Sequence, residues 1–172
     1  MPREEQGILI NRYTIIPRTL IFIRREESFL LIRGAANKRL WANKYNGIGG
    51  HVERGEDILT SAQRELLEET GLSVEISLCG VVTVEVEDNV GIGIYIFSGL
   101  FDKGEVKPSD EGLLEWVMID ELGSYPLVED VKIILDRIIR METGDHPFSA
   151  HSFYDEKNKL VFKFSDQLTG ES

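Results

Sequence analysis

The sequence predicts a mixed α/β domain of the α+β type, in which two amphipathic helices accompany several strands and a C-terminal β-hairpin. Two segments, residues 57–71 and 128–141, repeat apolar side chains at spacings of three and four, the periodicity of a helix with one buried face. Around them lie β-branched and aromatic stretches bounded by turn residues, which are typical of strands. With 172 residues, 42% hydrophobic and 28% charged, the chain can bury the core of one domain.

The first part of the chain is predicted to form a β-hairpin followed by a long loop. Residues 8–23 are rich in Ile, Thr, Tyr and Phe and indicate a strand, within which Pro17 marks an edge, a bulge or a break. A polar turn then leads to a second strand at residues 29–33. Residues 34–45 show little periodicity, and loops of this length inside a compact domain usually have a functional role.

The helix predicted at residues 57–71 has an apolar stripe on one side. Gly71 follows the last periodic residue and is expected to end the helix in the left-handed conformation that glycine adopts easily. The stripe predicted to be buried consists of Ile58, Leu59, Ala62, Leu66 and Leu67.

The other side of this helix carries three glutamates. At about 100° per residue, Glu65, Glu68 and Glu69 fall within roughly 100° of one another. Like charges at these spacings repel by about 0.2–0.5 kcal/mol per pair, so a helix that needed only a polar surface would interleave basic residues. Beside a glycine-rich segment, the carboxylates indicate an oxygen-ligand site for Mg²⁺, with Mn²⁺ as a substitute. The alternative is a solvated acidic face.

The spacing of residues 50–72 favours the metal site. This stretch, GHVERGEDILTSAQRELLEETGL, fits the pattern G-x5-E-x7-R-E-U-x-E-E-x-G-U, in which U is a bulky apolar residue, at every fixed position. It resembles the Nudix box, the signature of the Nudix hydrolases. The fixed positions are Gly50, Glu56, Arg64, Glu65, Leu66, Glu68, Glu69, Gly71 and Leu72.

The resemblance covers roughly residues 10–140 and implies the Nudix fold, an α/β/α sandwich with a mixed curved sheet between helices. We therefore expect a Nudix hydrolase domain at residues 1–143, with residues 144–172 as a C-terminal β-hairpin extension packed on the same domain. This hairpin can extend the sheet, cover one of its faces or pair with a second subunit. A homodimer is therefore one of the open alternatives.

The resemblance also implies a reaction, the Mg²⁺-dependent hydrolysis of a phosphoanhydride bond in a nucleoside diphosphate linked to another moiety. The implied metal ligands are Glu65, Glu68 and Glu69, which are also the implied catalytic carboxylates. Family members add the backbone carbonyl that precedes the box, which here belongs to Gly49.

A general base and a positioning cation are implied as well. Nudix enzymes often recruit one more carboxylate from a later acidic loop, as a metal ligand or as the base. Glu111 is the candidate and Asp110 the second choice, and the alternative is a plain acidic surface loop. Arg64 lies four residues before Glu68, the spacing of an ion pair along a helix, so it is expected to hold that carboxylate in place. Glu56 is expected to reach the glutamates through water or the metal.

Four residues are candidates for binding the substrate. Asn46, within NGIGG, resembles the residue that hydrogen-bonds the base in the branch that clears oxidised purine nucleoside triphosphates, although an isolated Asn is more often a turn former. Trp41 is either a hydrophobic plug or a platform on which a base stacks. Arg33, at a strand end facing the long loop, contacts phosphate or is a plain surface residue. Asp130 either reads the purine edge, as the resemblance implies, or stabilises the positive end of the second helix.

These features favour hydrolysis of a nucleoside triphosphate, with an oxidised purine base as an option, to the monophosphate and pyrophosphate. The acidic segment SDEG, followed by a Trp within residues 109–116, resembles the same branch. ADP-ribose or a dinucleotide is the alternative substrate, and a Nudix domain that senses a ligand without catalysis is the alternative of another class. Such sensors can lose carboxylates of the box, whereas here all are present.

Composition argues against other functions and locations. The net charge of −11 disfavours binding to nucleic-acid polymers or to an anionic membrane surface. The sequence MPREEQ lacks the features of a signal peptide, and no apolar run reaches the length of a membrane-spanning helix, so the expected location is the cytoplasm. Cys79, the one cysteine, is expected in the core. His146 and His151 are expected to be structural or surface residues.

The rest of the chain is predicted to form three strands, a helix and the tail hairpin. The strands are expected at residues 74–87, 91–101 and 114–119, and those of the hairpin at residues 151–154 and 160–164. The helix at residues 128–141 should bury Val131, Ile134, Leu135 and Ile138.

Overall fold

The structure is a computed structural model that describes Gly7 and residues 11–36 and 41–165. Within these residues, eight strands form one sheet, accompanied by two α-helices and a short 3-10 helix. The strands are β1 (Thr14–Arg25), β2 (Ser28–Gly34), β3 (Tyr45–Asn46), β4 (Ile76–Glu87), β5 (Val90–Leu100), β6 (Gly112–Met118), β7 (Phe148–Tyr154) and β8 (Leu160–Phe164). The helices are α1 (Ile58–Thr70) and α2 (Val131–Ile139), and the 3-10 helix spans Ile119–Ser124.

The sheet is mixed, as expected from the resemblance. Strands β1 and β5 pair in parallel, as do β4 and β7, whereas the other neighbours are antiparallel. The order is β3-β2-β1-β5-β4-β7-β8, and β6 pairs with β2. The β7–β8 hairpin therefore extends the sheet beside β4, which is one of the three arrangements that the sequence left open. The division of the chain at residue 144 stays a prediction.

Apolar residues on the two faces of the sheet form two cores. In β1, Leu20 and Phe22 pack in one core with residues of α2, whereas Ile21 and Ile23 pack in the other with residues of α1. This separation follows from the strand geometry, because neighbouring side chains point to opposite faces. A helix on each face of a mixed sheet confirms the predicted α/β/α sandwich.

Several predicted boundaries differ from the structure, most clearly those of β1, of α2 and of β7, which begins at Phe148 rather than at residue 151. Strand β1 spans Thr14–Arg25 rather than residues 8–23, and residues 8–10 lie outside the described part of the chain. Helix α2 spans Val131–Ile139, shorter than the predicted residues 128–141. Its apolar stripe is nevertheless buried as predicted, since Val131, Ile134, Leu135 and Ile138 all face the core.

Pro17 neither ends nor breaks β1. It lies opposite Gly93 in the parallel pair with β5. Thr19 and Ile21 donate their N–H groups to the segment on the other side of β1, so odd-numbered residues here do not donate to β5. A proline at an odd-numbered position therefore removes no hydrogen bond from the β1–β5 ladder.

Helix α1 begins and ends as the sequence predicted. The Asp57 carboxylate accepts hydrogen bonds from the N–H groups of Leu59 and Thr60, at 2.9 and 3.0 Å, and so caps the N-terminus. Gly71 ends the helix in the left-handed conformation, with φ of 72°.

The predicted stripe of α1 is only partly buried. Ala62 and Leu66 pack against the sheet, but Leu59 and Leu67 are 42% and 53% exposed, so their predicted burial is wrong. The buried side follows Ala62, Leu66 and Thr70 at a strict spacing of four. At about 100° per residue, Leu67 lies a quarter-turn beyond Leu66 and points away from that contact.

The remaining structural predictions concern side chains away from the helix. Cys79 is buried as predicted, and burial raises the pKa of its thiol to about 11. His151 bonds Glu85 through Nε2 at 2.8 Å, and His146 is exposed, in agreement with structural or surface roles. Over the part of the chain that the structure describes, no helix has both the length and the apolar character needed to cross a membrane.

Candidate active site

The glycine-rich segment before α1 lies against β1. Ile48 exchanges two backbone hydrogen bonds with Ile21, at 2.6 and 3.1 Å, and the Gly50 carbonyl accepts from the Thr19 N–H at 2.9 Å. Gly49 has φ of 148°, and a Cβ at this position would lie 2.2 Å from the Thr19 carbonyl oxygen. Only glycine therefore lets the backbone approach β1 so closely here.

Gly50 gives the same kind of room to a side chain of α1. A Cβ on Gly50 would lie 2.5 Å from Oε1 of Glu65. The first glutamate of the predicted strip therefore packs directly on the backbone of the segment. The helix and the glycines are therefore held close together at this contact.

Carboxylates from two distant parts of the chain surround one open cavity of about 480 Å³, which we call the carboxylate chamber. Its walls include Gly49 and Gly50, the glutamates of α1, and the acidic loop after β5. The acidic residues that line it are Glu53, Glu65, Glu68, Glu69, Asp110 and Glu111. The structure therefore brings the predicted loop carboxylates to the predicted helix carboxylates.

Arg64 holds three of the nearby carboxylates. It binds Glu56 through two bonds, Nε to Oε1 at 2.6 Å and Nη2 to Oε2 at 3.1 Å. Its Nη1 donates to Glu65 at 2.9 Å and to Glu68 at 3.1 Å, so the predicted ion pair with Glu68 is present. Glu56 therefore contacts the glutamate strip through Arg64, and its predicted contact through water or the metal stays a prediction.

The charges of this network stabilise one another. The hydrogen bond from Arg64 lowers the pKa of the Glu56 carboxyl to about 2. In return, the same bond raises the pKa of the Arg64 guanidinium, with smaller contributions from Glu65 and Glu68. Both partners are therefore ionised at neutral pH, and Arg64 offsets part of the repulsion along α1.

The donor set of the chamber fits a hard divalent cation. Carboxylate and backbone carbonyl oxygens are the ligands that Mg²⁺ and Mn²⁺ prefer. Among the described residues, no three acidic, His or Cys side chains already converge on one metal position. Glu65 and Glu68 each give one oxygen to Arg64, and with Glu69 and the Gly49 carbonyl they are the candidate ligands.

A second space adjoins the chamber, and we call it the nucleoside cavity. It has two parts of about 110 and 270 Å³, and three of the predicted substrate-binding residues, Asn46, Trp41 and Asp130, line it. Trp41 is 43% exposed, with φ of 56°, so it lies at the mouth of the cavity and is not a buried plug. The Asn46 Oδ1 accepts a hydrogen bond from the Gly47 N–H at 2.8 Å, as in a turn.

Asp130 is a half-buried acidic group of the nucleoside cavity, which the exposed Glu129 also lines. It precedes α2, but its side chain makes no capping hydrogen bond to the helix. Burial raises the pKa of its carboxyl, and the charge of Glu129 adds to the effect. Asp130 therefore lines the cavity from the N-terminal end of α2, and both alternatives from the sequence stay open.

Arg33 is not brought to the site. It lies opposite Tyr45 and Leu113 in the sheet, and its Nη2 donates to Asn43 Oδ1 at 3.4 Å. It lines neither the carboxylate chamber nor the nucleoside cavity. This position agrees with the second of the two alternatives from the sequence, in which Arg33 is a plain surface residue.

Two features of the site were missed in the sequence. Arg18 of β1 lines both the chamber and the nucleoside cavity, and a cation inside an apolar strand was the signal that could have revealed it. Glu115 of β6 accepts hydrogen bonds from the hydroxyls of Tyr45 and Tyr125, at 2.6 and 3.0 Å. No local sequence pattern predicts these hydrogen bonds, because Glu115, Tyr45 and Tyr125 come from separate parts of the chain.

Comparisons with known proteins agree with this geometry. The model of the Nudix domain family matches residues 15–140. The oxidized purine nucleoside triphosphate hydrolase of Mus musculus is 33% identical over 153 residues, covering 88% of each chain. The protein of the same name from Danio rerio is 35% identical over 106 residues, covering 60% of this chain and 67% of its own.

A solved structure shows the same fold. The MutT protein from Bacillus halodurans superposes with a TM-score of 0.72 at 24% identity, covering 87% of this chain and 97% of that one. The family match spans most of the chain and includes the box whose carboxylates line the chamber. The chain is a member of the Nudix family and a Nudix hydrolase.

Proposed function

We propose that this Nudix hydrolase cleaves nucleoside triphosphates, foremost those with an oxidised purine base, into the monophosphate and pyrophosphate with the help of Mg²⁺. The observation that carries the proposal is the contact between the two spaces. The carboxylate chamber and the nucleoside cavity share Gly49, Gly50 and Trp41 as walls. A nucleotide with its base beside Asn46 and Asp130 therefore directs its phosphates toward the glutamates of α1.

The names of the relatives support the choice of substrate. Two Nudix relatives at 33% and 35% identity are called oxidized purine nucleoside triphosphate hydrolases. In this chain, Asn46 and Asp130 offer an amide and a carboxyl to the edge of a purine, and the exposed ring of Trp41 offers a stacking surface. The volume of the cavity sets no preference between an oxidised and an unmodified base.

The reaction follows from the charges in the chamber. Water adds to one of the two phosphorus atoms that flank the bridging oxygen between the α- and β-phosphates. The bond from that phosphorus to the bridging oxygen breaks, and the monophosphate and pyrophosphate separate. Glu65, Glu68 and Glu69 would hold Mg²⁺, which when bound supplies charge neutralisation at the phosphate oxygens. Glu111, or one of the three glutamates, accepts the proton of the water. Arg64 fixes the rotamers of Glu65 and Glu68 and does not itself react.

The test is product analysis by chromatography with Mg²⁺ and a panel of nucleotides. The panel contains dGTP, 8-oxo-dGTP, ADP-ribose and a dinucleoside polyphosphate. We expect 8-oxo-dGMP and pyrophosphate from 8-oxo-dGTP, and the Glu69→Gln variant should lose this activity. Glu121→Gln, which neutralises an exposed glutamate of the 3-10 helix, is the matched control and should behave as wild type.

Other outcomes of the same panel decide between the alternatives. Turnover of ADP-ribose or the dinucleotide alone would replace the substrate and keep the reaction class. Binding without turnover of any nucleotide would contradict the enzyme and favour a sensor of nucleotides. Equal activity in wild type and Glu69→Gln would exclude Glu69 from the catalytic machinery.

A further inference from the structure

Arg18 occupies the boundary between the two spaces of the site. Its backbone lies opposite Ile94 of β5 on one side and His51 of the glycine-rich segment on the other. Its side chain is half-buried and lines the carboxylate chamber and both parts of the nucleoside cavity. A nucleotide that spans the two spaces therefore passes this guanidinium.

Within the described residues, the Arg18 guanidinium forms no ion pair with a carboxylate. Its Nε donates to His51 Nε2 at 3.1 Å. Burial lowers the pKa of this guanidinium, but an arginine stays charged at neutral pH. Arg64, by contrast, forms ion pairs with three carboxylates.

The bond to His51 also leaves the guanidinium ready for a ligand. An arginine carries five N–H donors, and the bond from Nε uses one of them. The two terminal nitrogens of Arg18 keep their donors, in a planar arrangement that suits the oxygens of a phosphate. His51 fixes the side chain, so little conformational entropy is lost when a phosphate binds.

The surrounding charge explains why a nucleotide needs such a donor. Six acidic side chains line the chamber of a protein whose net charge is −11, so a polyphosphate is repelled. The glutamates of α1 would hold a metal ion, which would offset this repulsion at the phosphates deep in the chamber. The phosphate attached to the sugar lies nearer the nucleoside cavity and requires a cation there.

We propose that Arg18 binds the phosphate attached to the nucleoside, and that it thereby distinguishes nucleotides from nucleosides. This inference rests on the proposed function and deepens it. It assigns to Arg18 the phosphate contact that the sequence suggested for Arg33. Arg18 is thus a substrate-binding residue, and His51 is its positioning residue.

The experiment compares two ligands that differ only in the phosphate. Calorimetry without metal measures the binding of 8-oxo-dGMP and of 8-oxo-deoxyguanosine to the full chain. The variants are Arg18→Met, which removes the charge, and Arg18→Lys, which keeps it without the planar donor pair. Arg140→Met removes an exposed charge at the end of α2 and is the matched control for the change in net charge.

Arg18→Met should weaken 8-oxo-dGMP binding by about 10- to 100-fold, the range expected for hydrogen bonds to a charged group. Binding of the nucleoside should stay unchanged, which also shows that the variant is folded. Arg18→Lys should fall between wild type and Arg18→Met, and Arg140→Met should match wild type. In turnover of the triphosphate, KM should rise more than kcat falls, because the contact exists before the reaction begins.

Several results would overturn the assignment. Equal weakening of nucleoside and monophosphate in Arg18→Met would show a structural role, and an unchanged monophosphate affinity would show no role. If wild type hydrolyses ADP-ribose instead, AMP and adenosine replace the two ligands and the same outcomes apply. A wild-type protein that hydrolyses a nucleotide while Arg18→Met binds its monophosphate normally refutes only this inference. Wild type that binds none of these nucleotides refutes the proposed function as well.

Discussion

The Cα of Gly50 lies against the carboxylate of Glu65, and a Cβ there would be 2.5 Å from Oε1. The atoms that it would displace belong to the end of a flexible side chain. At the neighbouring Gly49, by contrast, a Cβ would meet the Thr19 carbonyl oxygen at 2.2 Å, where φ is 148°. The two glycines therefore serve different purposes, one for the position of a carboxylate and one for the path of the backbone.

Alanine at these two positions should separate activity from stability. Gly50→Ala is expected to melt near the wild-type temperature and to lose at least about tenfold in kcat, because Glu65 must move from the chamber wall. Gly49→Ala is expected to lower the free energy of unfolding by at least about 1–3 kcal/mol, because its backbone conformation is strained for alanine. Thermal unfolding and steady-state kinetics on both variants test this. Full activity in Gly50→Ala would contradict the role of the Glu65 contact.

The ion pair of Glu56 with Arg64 should make stability depend on pH in the acid range. The pKa of Glu56 falls from its ordinary value of 4.5 to about 2 in the folded protein. The ion pair therefore stabilises the folded state fully above pH 4.5, and this stabilisation is lost as the pH falls towards 2. Melting curves between these limits should show a steeper acid destabilisation in wild type than in Glu56→Gln. Parallel curves for the two proteins would contradict the pair, and Glu121→Gln is the control.

Mg²⁺ should stabilise the folded protein through the chamber. A ligand at one hundred times its Kd adds about 2.7 kcal/mol to the free energy of unfolding. Melting temperatures should therefore rise with MgCl₂ in wild type and rise less in Glu69→Gln. Salt also screens the net charge of −11, so NaCl at equal ionic strength is the necessary control. An equal rise with NaCl would mean that no specific site contributes.

Asp130→Asn should change stability and activity in opposite directions. Burial raises the pKa of the Asp130 carboxyl, so the folded state disfavours its charged form. As the pH rises above the ordinary Asp value of 3.8, the unfolded state ionises first and the folded wild type loses stability. The Asn variant avoids this loss and should melt higher at neutral pH, with no difference below pH 3.8.

The activity of Asp130→Asn supplies the second half of that prediction. If the carboxyl contacts the base, the variant should hydrolyse 8-oxo-dGTP with a raised KM. A variant that is both more stable and fully active would remove Asp130 from substrate binding. Glu121→Gln, which neutralises an exposed glutamate that lines neither space, is the control for the loss of one negative charge.

Glu115 should couple the energies of Tyr45 and Tyr125. Both hydroxyls donate to this carboxylate, and the two rings pack edge to face with centroids 5.0 Å apart. Tyr45→Phe and Tyr125→Phe keep the rings and should each lower the free energy of unfolding, because each removes a hydrogen bond to a carboxylate. A double-mutant cycle from denaturant unfolding should show non-additive losses, because one carboxylate serves both donors. Strict additivity would contradict this coupling.

Helix α1, its end at Gly71 and its strip of glutamates could be predicted from the amino-acid pattern alone. These features depend on spacings within one turn or a few turns, which set the directions of side chains around a helix without contacts from the rest of the chain. The box pattern added the family, and with it the sandwich that the comparisons confirm. These are local features, and local periodicity predicts them.

Which other side chains lie beside that helix depends on the tertiary fold. It brought Glu111 to the chamber, left Arg33 beside Asn43, and placed Arg18 between the two spaces. Leu59 and Leu67 are exposed, although the apolar periodicity of the helix predicted that they would be buried. These outcomes depend on how β1 pairs with β5 and with the glycine-rich segment. Such pairing joins residues far apart in sequence, and no periodicity within one segment specifies it.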